Sequence, residues 1–557
     1  METTTASPGH PEQEARVKEL EAALVVVTQE RDLLRASHER LRLELDLLKR
    51  RIYVATAERI DTRQLELEFA QKLALLDALP ALDSPPNPKE PKKKTKPTGR
   101  RDLSLASLEE ERVEIADPLF EDLVAKGEAE RIGHEESYKI SYKRGGLRRL
   151  VMARVKYRAI DGRGQAVIET AEMPKELLPR SLATPSLLAR IAIDKHCDGL
   201  PLYRIEDRFA RDGFTLDRGT MCRWLEEAGA TAGATVIEAA RKDAMRTAFC
   251  IATDATGVSV QPEPLPDKAR QACRRAHYFV LIADKDHIFF EYTPKETSAV
   301  VSEMFRDFSG YIQADAKSVY DVLFRKPKET GAGEQDTHVI RHEVGCWSHC
   351  RRGFWEATVQ KNTVAREGLA RIGRMFEIDA RFRGKPRHEI KRLRDAQLRP
   401  HFDAFFAWAK EQLELVREQR CTLRSALGYA LRHEQALRRV LDDGRLVLEN
   451  NRSERALRKI AVGRKAWLFV GSDDHGTAAG HLFSLIASAR LHELDPELYL
   501  RDLFRVLPHW PADRYLELAP KYWAKTRATL DAAELAAEVG PLHVPELQPE
   551  AAQPCAA

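Results

Sequence analysis

Apolar residues recur along residues 15–52 with the alternating three- and four-residue spacing of a coiled coil. Only Arg31 and His38 break the seam, and polar residues at seam positions can fix register and partner number. The a and d positions are Val17, Leu20, Leu24, Val27, Arg31, Leu34, His38, Leu41, Leu45, Leu48 and Ile52. This pattern predicts a coiled coil over residues 10–79, ended by Pro80, through which the chain self-associates. The alternative is a helix folded back on its own chain.

The pattern becomes polar and then β-like after the coiled coil. Residues 80–105 are rich in proline and lysine and predict an extended linker. Residues 106–175, with β-like runs such as 150–157, predict a small basic domain. Residues 89–101 hold seven Lys or Arg against one acid, and residues 138–158 hold eight and no acid. Such density suits a polyanion, and a solvated linker and a solvated strand face are the alternatives.

Residues 176–240 have the apolar spacing of helices. The last two predicted helices, 202–211 and 218–228, flank a short glycine-containing turn, as in a helix-turn-helix. That motif places its last helix in the major groove, where Arg218 and Arg223 would be DNA contacts. Helical hairpins are common, so the pattern alone is weak.

Residues 241–510 change to strand periodicity and then alternate. The predicted strands are 247–253, 277–283, 287–292, 310–314 and 338–344. Three antiparallel strands followed by alternating strand and helix is the order of an RNase H-like, integrase-type α/β catalytic domain. The charged helical segment at about 360–445 predicts an insertion, residues 476–494 a packed helix, and residues 511–557 a C-terminal tail that is disordered beyond about 540. The fold class expected is therefore a multidomain α+β protein.

The composition of the chain predicts its cellular compartment. The 557 residues suffice for about three to five domains, and the net charge of +4 names no partner. The N-terminus lacks the features of a signal peptide, and no apolar run approaches the length of a membrane span. Eight scattered cysteines fit a reducing cytosol, so we expect a cytoplasmic protein with no membrane partner.

Three acidic residues indicate the chemistry. Asp254 and Asp315 each end an apolar strand-like run, and Glu454 lies on a later predicted helix. Carboxylates that converge from two strands and a helix repel one another unless divalent cations lie between them. A pair of oxygen-preferring ions about 3.5–4 Å apart is the arrangement used for in-line attack on phosphodiesters. The pattern therefore indicates cutting and joining of nucleic acid.

Each acid also has an ordinary structural alternative. Asp254 could cap a turn, and Asp315 could cap a helix that starts at Ala316. Glu454 could be the third residue of a capping box with Asn451 as N-cap.

Several local motifs resemble one family. Residues 448–458 and 463–469 closely resemble the C-terminal signature of the insertion-sequence 66 family of DDE transposases. Residues 345–352 resemble that family's Cys-Trp-x-His-x-Arg-Arg motif, and residues 313–315 resemble its second-aspartate motif. Tyr320 and residues 182–188 and 200–204 extend a resemblance that runs from about 180 to 510.

The resemblance implies an RNase H-like core in which Asp254, Asp315 and Glu454 are the catalytic triad and ligate Mg²⁺ or Mn²⁺. It implies the element's terminal inverted repeats as DNA substrate, an N-terminal leucine zipper, small accessory proteins of the same element as partners, and a bacterial, nucleoid-associated location. We expect further phosphate or end-DNA contacts at His349, Arg351, Arg352, Arg455 and Arg458, for which surface salt bridging is the alternative.

The chain departs from the family in two places. Residues 100–175 contain no cysteine, whereas the family usually has paired CxxC cysteines there. Cys346 and Cys350 lie near two histidines but with loose spacing, so zinc is not expected. The usual Asp-Glu-Thr motif reads Asp254-Ala255-Thr256 here, and the aspartate is kept.

The sequence thus predicts a transposase that performs metal-dependent DNA strand cleavage and strand transfer. A metal-dependent nuclease without joining activity and a decayed, non-catalytic DNA-binding protein remain the alternatives.

Overall fold

A computed structural model describes residues 109–143, 146–160, 165–179, 181–262, 271–325 and 340–546. The predicted coiled coil (10–79) and the linker (80–105) lie outside the described residues.

The first part of the described chain is a small mixed sheet. Strands β2 and β3 form a long antiparallel hairpin, β1 runs parallel to β3, and β4 pairs antiparallel with the end of β3. Apolar residues of β3, including Leu150 and Tyr157, pack against Phe120 of helix α1. The elements are β1 Glu109–Ile115, α1 Pro118–Ala125, β2 Ala129–Lys143, β3 Gly146–Ile160 and β4 Ala166–Thr170.

The basic stretch 138–158 is largely balanced by acidic residues on the neighbouring strands. Arg149 of β3 pairs with Glu110 of β1, and Arg154 pairs with Glu135 of β2. Lys139 is buried and bonds Glu176 at 3.0 Å. Neighbouring strands place acidic residues beside these basic residues, although the acids are distant in the sequence. This stretch is therefore less suited to binding a polyanion than its own sequence indicates.

The predicted helices of residues 176–240 are present. Thr184 caps the first helix, and Asp217 caps the helix that carries Arg218 and Arg223, both of them exposed. Leucine and aromatic side chains from these helices join the main core. The elements are α2 Pro185–Ala192, a π-helical turn Ile193–Cys197, α3 Leu202–Arg211, α4 Arg218–Ala232, a π-helical turn Gly233–Ile237 and α5 Glu238–Thr247.

The main sheet has the order β7-β6-β5-β8-β9 within the described residues. Strands β5, β6 and β7 are antiparallel neighbours, and β8 and β9 add to β5 in parallel, as the predicted strand order required. The elements are β5 Cys250–Val260, β6 Arg274–Ala283, β7 His287–Thr293, α6 Ser298–Met304, β8 Gly310–Gln313, a 3₁₀ turn Ser318–Leu323 and β9 Arg341–Val344.

Helices complete the rest of the described chain. They are α7 Trp347–Val359, α8 Thr363–Ala380, α9 Arg387–Leu393, a π-helical turn Arg394–Leu398, α10 Arg399–Leu415, α11 Thr422–Arg432, α12 Glu434–Arg438, a 3₁₀ turn Arg439–Leu441, α13 Asn451–Trp467, α14 Asp473–Leu491, α15 Pro496–Val506, 3₁₀ turns Leu507–His509 and Ala512–Leu518, α16 Pro520–Arg527 and α17 Ala532–Ala536.

Helix α14 covers the edge strand β7. The hydroxyl of Ser484 accepts a hydrogen bond from the backbone N–H of Phe290, and that of Ser488 accepts one from Ile288. An edge strand presents unpaired backbone groups, and these serines satisfy two of them. The small residues predicted for this helix therefore allow close approach to the sheet.

The chain forms two compact units. One consists of Cys350–Ile378 and His401–Arg432, which overlap the predicted insertion, and we call it the helical unit. Its core holds an aromatic cluster in which Phe354, Phe405 and Trp408 lie with ring centroids 5.8–6.0 Å apart. The other unit contains both sheets and the remaining described helices.

Residues 511–546, the described part of the predicted C-terminal tail (511–557), contain helices and pack into the core. Trp523, Leu535 and Leu542 of this segment are buried in the main core. The prediction of disorder beyond about 540 is wrong at Leu542. Pro520 occupies the first turn of α16, where its missing N–H costs nothing.

No helix in the described part of the chain is both long and apolar enough to span a bilayer.

We expect Gly229→Ala to lower the free energy of unfolding by about 1–3 kcal/mol, as overpacking does. A methyl group there would lie 2.4 Å from the carbonyl oxygen of Ala478, where α4 crosses α14. The control Gly373→Ala meets no atom within 4 Å and should stabilise α8 by about 0.5–1 kcal/mol. Thermal unfolding followed by circular dichroism measures both, and an equal loss in the two variants would contradict the packing argument.

Candidate active site

Asp254 lies inside strand β5, four residues beyond its start, rather than at its end as predicted. The pairing of β5 with β8 covers only Cys250 to Ala252, while the pairing with β6 continues to Val260. One edge of β5 is therefore released from the sheet just before Asp254. The side chain is 15% exposed, and its Oδ1 accepts a hydrogen bond from the backbone N–H of Ala255.

Asp315 follows β8 by two residues, beside the released edge of β5. Its Oδ1 accepts a hydrogen bond from the backbone N–H of Lys317 at 3.3 Å. The 3₁₀ turn that follows has Lys317 as its N-cap residue, so Asp315 does not cap a helix. Ala316 between them has φ of +59°, a left-handed conformation that non-glycine residues rarely adopt and that often marks functional sites.

Glu454 lies in the first turn of α13, which Asn450 fixes to β5. The buried Asn450 side chain donates to the carbonyl oxygen of Thr253 at 2.7 Å and accepts from the hydroxyl of Ser453 at 2.7 Å. The capping-box alternative is wrong, because the N-cap is Asn450 rather than Asn451. Asn450 thus ties the start of the Glu454 helix to the residue that precedes Asp254.

One ammonium group lies among the acids. Lys317 Nζ is 3.1 Å from Asp315 Oδ2, 3.6 Å from Asp254 Oδ1 and 3.8 Å from Glu296 Oε1. Burial alone would lower the pKa of Lys317, but the nearby Asp315, Asp254 and Glu296 outweigh burial and raise it above its ordinary value. Lys317 therefore stays protonated and shares one positive charge among the carboxylates.

The pKa of Asp254 is raised above the ordinary value of an aspartate. Burial is the largest cause, and the negative charges of Asp315 and Glu454 add to it, while Lys317 and the Ala255 N–H act in the opposite direction. A buried carboxylate whose ionisation is further opposed by neighbouring carboxylates is typical of a site that favours cations.

Glu454 is the most exposed of the three acids, with 49% of its side chain accessible. Its Oε1 lies 3.6 Å from Nε2 of His349, whose Nδ1 is buried without a hydrogen-bond partner. Among the described residues, no three His, Cys, Asp or Glu side chains are arranged to hold a metal ion as they stand. Between Asp254 and Asp315 the cation is the Lys317 ammonium, and Glu454 faces His349 instead.

The remaining predicted DNA contacts are distributed over three helices. Arg455 is exposed and Arg458 half-buried on α13. Arg351 and Arg352 follow His349 on α7 and belong to the helical unit, where Arg352 pairs with Glu356. Arg218 and Arg223 lie on α4, and Arg223 donates to the hydroxyl of Thr220.

Sequence reasoning missed Lys317, Glu296 and Asn450. Lys317 lies two residues after Asp315, which is a signal that could have been found. Glu296 comes from the loop after β7 and is brought in only by the tertiary fold.

In the presence of a chelator, we expect Asp254→Asn to raise the melting temperature at pH 7. A raised pKa means that ionised Asp254 destabilises the fold. The increase in melting temperature should be largest at pH values above the raised pKa of Asp254. It should disappear as the pH falls to the ordinary pKa of an aspartate in the unfolded chain. Thermal unfolding as a function of pH measures it.

Asp243→Asn provides the control of opposite sign. Burial would raise the pKa of Asp243, but Tyr522, Lys521 and His287 outweigh it and hold the pKa below its ordinary value. The variant should therefore lose stability at pH 7, and the loss should fade as the pH falls through the lowered pKa. If both variants lost stability at pH 7, the electrostatic explanation for Asp254 would be refuted.

Comparison with known proteins places the chain in a family. A family model described as "Transposase IS66 family" matches residues 180–478, and one described as "IS66 C-terminal element" matches residues 484–520. Similar proteins include the uncharacterized protein y4qI of Sinorhizobium fredii (strain NBRC 101917 / NGR234), 27% identical over 70% of this chain and 71% of its own. The uncharacterized protein y4hP of the same strain is 25% identical over 88% of this chain and 89% of its own.

The first family match covers more than half of the chain and includes all three acids of the site. The resemblance found in the local motifs is thus confirmed, and it implies a nucleotidyl-transfer enzyme that functions in transposition. The chain belongs to the IS66 family of transposases.

Proposed function

We propose that the protein is a DDE transposase that binds the terminal inverted repeats of its element and catalyses metal-dependent strand cleavage and strand transfer. The observation that carries the proposal is the convergence of Asp254 and Asp315 on one ammonium group, with Glu454 close enough to raise the pKa of Asp254. The sheet order β7-β6-β5-β8-β9 supports an RNase H-like core, because it places Asp254 on β5 and Asp315 just after the adjacent strand β8.

The donor set fits hard divalent cations. Asp254, Asp315 and Glu454 offer only carboxylate oxygens, which Mg²⁺ and Mn²⁺ prefer. Lys317 supports the fit, because a cation is already required between Asp254 and Asp315 to limit their repulsion. When bound there, the metal would activate the attacking oxygen and stabilise the leaving one.

The chain's own residues would prepare the site for that cation. Lys317 is 43% exposed at the end of a flexible side chain, so its ammonium can move away from the two aspartates into solvent. The exposed Glu454 can likewise turn from His349 toward Asp254, since the first turn of α13 is anchored through Asn450 rather than through Glu454 itself. The displaced Lys317 and His349 would then be available to phosphate oxygens of the DNA.

The exposed Arg455 lies one residue after Glu454 on α13, and we assign it with Arg458, Arg351 and Arg352 to the DNA ends. Arg218 and Arg223 of α4 are assigned to sequence reading in the helix-turn-helix-like region. The coiled coil would join two protomers, because cutting and joining two ends requires that both ends be held together.

With Mg²⁺ or Mn²⁺ and labelled duplexes carrying the repeats that flank its gene, we expect nicking at the repeat boundary and joined products. Glu454→Gln should lower the rate at least about 100-fold, since loss of a ligand removes several kcal/mol of transition-state stabilisation. Asp474→Asn, which removes an exposed carboxylate at the start of α14, should leave the rate unchanged. Gel electrophoresis separates the products.

The alternatives are distinguished in the same assay with a pre-cut end. Cleavage without transfer of that end would identify a nuclease. Binding without cleavage in every protein, with or without metal, would support a decayed DNA-binding protein. Cleavage that persists in Glu454→Gln would reject Glu454 as a ligand.

Removal of the Lys317 charge should tighten metal binding. We expect Lys317→Ala to bind Mn²⁺ on the order of tenfold more tightly, because the ion no longer has to displace an ammonium whose attraction to the two aspartates is worth roughly 1–2 kcal/mol even in water. Lys317→Arg keeps the charge and should bind like the unmodified protein. Titration followed by electron paramagnetic resonance measures both, and weaker binding by Lys317→Ala would mean that Lys317 orders the carboxylates instead of competing with the ion.

A further inference from the structure

The helical unit contains an open groove of about 890 Å³ beside helix α11. Arginines dominate its polar lining. The lining includes Arg417, Arg420, Arg424, Arg432, Gln360 and Thr422, all within the helical unit.

The groove arginines differ from the other arginines of this unit. Arg420, Arg424 and Arg432 are exposed and have no hydrogen bond or ion pair with any described residue. Elsewhere in the same unit, Arg371 pairs with Glu367 at 2.7 Å and Arg374 pairs with Glu377 at 3.1 Å. The positive charge that the unit leaves uncompensated is thus concentrated at the groove.

The spacing along α11 suits a phosphate backbone. Arg424, Gly428 and Arg432 lie four residues apart and therefore on one side of the helix. The two arginines are about 12 Å apart along the axis, while successive phosphates of a DNA strand rise about 3.4 Å. A single strand can therefore present phosphates to both guanidinium groups.

Gly428 leaves the helix surface open between the two arginines. Glycine inside a helix costs about 0.5–1 kcal/mol relative to alanine. A methyl group at Gly428 would meet only the far end of the Arg432 side chain, with Nη1 at 3.0 Å. Gly428 therefore lets the Arg432 guanidinium lie against the helix, and a methyl group there would move it.

We infer that this groove binds the sugar–phosphate backbone of duplex DNA without regard to base sequence. The inference rests on the proposed function, and it adds a DNA surface separate from the residues assigned above. Guanidinium groups bind phosphate oxygens in pairs, and the groove offers three that are free of acidic partners. Glu414, the acid of the lining, is paired with Arg417.

The test measures binding of the full chain to a duplex unrelated to the terminal repeats, by fluorescence anisotropy at several salt concentrations. Arg424→Gln/Arg432→Gln should weaken binding at about 0.1 M salt by on the order of tenfold per lost contact. The plot of log affinity against log salt should become shallower by about 2. Arg424→Lys/Arg432→Lys should retain most of the slope, because the charges remain.

The matched control is Arg374→Gln/Arg306→Gln, which removes the same charge from exposed arginines that have acidic partners. It should leave the affinity and the salt slope nearly unchanged. Gly428→Ala should bind DNA more weakly because it moves the Arg432 guanidinium. Its melting temperature should be unchanged or higher, so the lost affinity cannot be ascribed to unfolding.

The outcomes separate this inference from the proposed function. Equal affinities and slopes in the groove variant and the control, with end cleavage intact, would overturn the groove assignment alone. Failure of the unmodified chain to bind any duplex would overturn both.

Discussion

The burial of Asp254 beside two further acids, Asp315 and Glu454, is the constraint on which the rest of the site depends. Two of these carboxylates share the ammonium of Lys317, and the third lies close enough to raise the pKa of Asp254. Neighbouring carboxylates repel one another unless a cation lies between them, so the fold must hold them in place against this repulsion. Ionised Asp254 destabilises the fold, and favourable interactions in the surrounding structure offset this loss, as is common at functional sites.

Three structural devices hold the acids in place. Strand β8 pairs with β5 only as far as Ala252, so the parallel pairing fixes the backbone just before Asp254 and then releases it. Asn450 joins the start of α13 to Thr253, and because this side chain is buried, the hydrogen bond is costly to break. The serines of α14 hold the far edge of the sheet. Each device uses backbone groups, so the positions of the acids do not depend on their own side-chain bonds.

The sequence predicted the five strands of the main sheet and a helix at Glu454, because those features follow from local periodicity and chain order. It placed Asp254 at the end of its strand, whereas Asp254 lies inside β5. It did not predict Asn450 as the anchor, since that contact joins residues far apart in the chain. Lys317 was also missed, although it lies only two residues after Asp315. The capping-box prediction failed for a local reason, as the helix begins one residue earlier and Asn450 faces the strand. Composition predicted disorder beyond about 540, but Leu542 is buried in the main core, a contact that composition does not show.

The surface charge that is available to a ligand is also difficult to predict from the sequence alone. Residues 138–158 are conspicuously basic in the sequence, yet β1 and β2 place glutamates beside their arginines. Residues 417–432 are less conspicuous, yet Arg420, Arg424 and Arg432 lie on a surface where no described acid reaches them. Binding of a polyanion depends on the charge that remains after such internal pairing, because an arginine already bonded to a carboxylate must lose that bond before it can bind a phosphate. The less basic segment is therefore the one that we propose as a DNA surface.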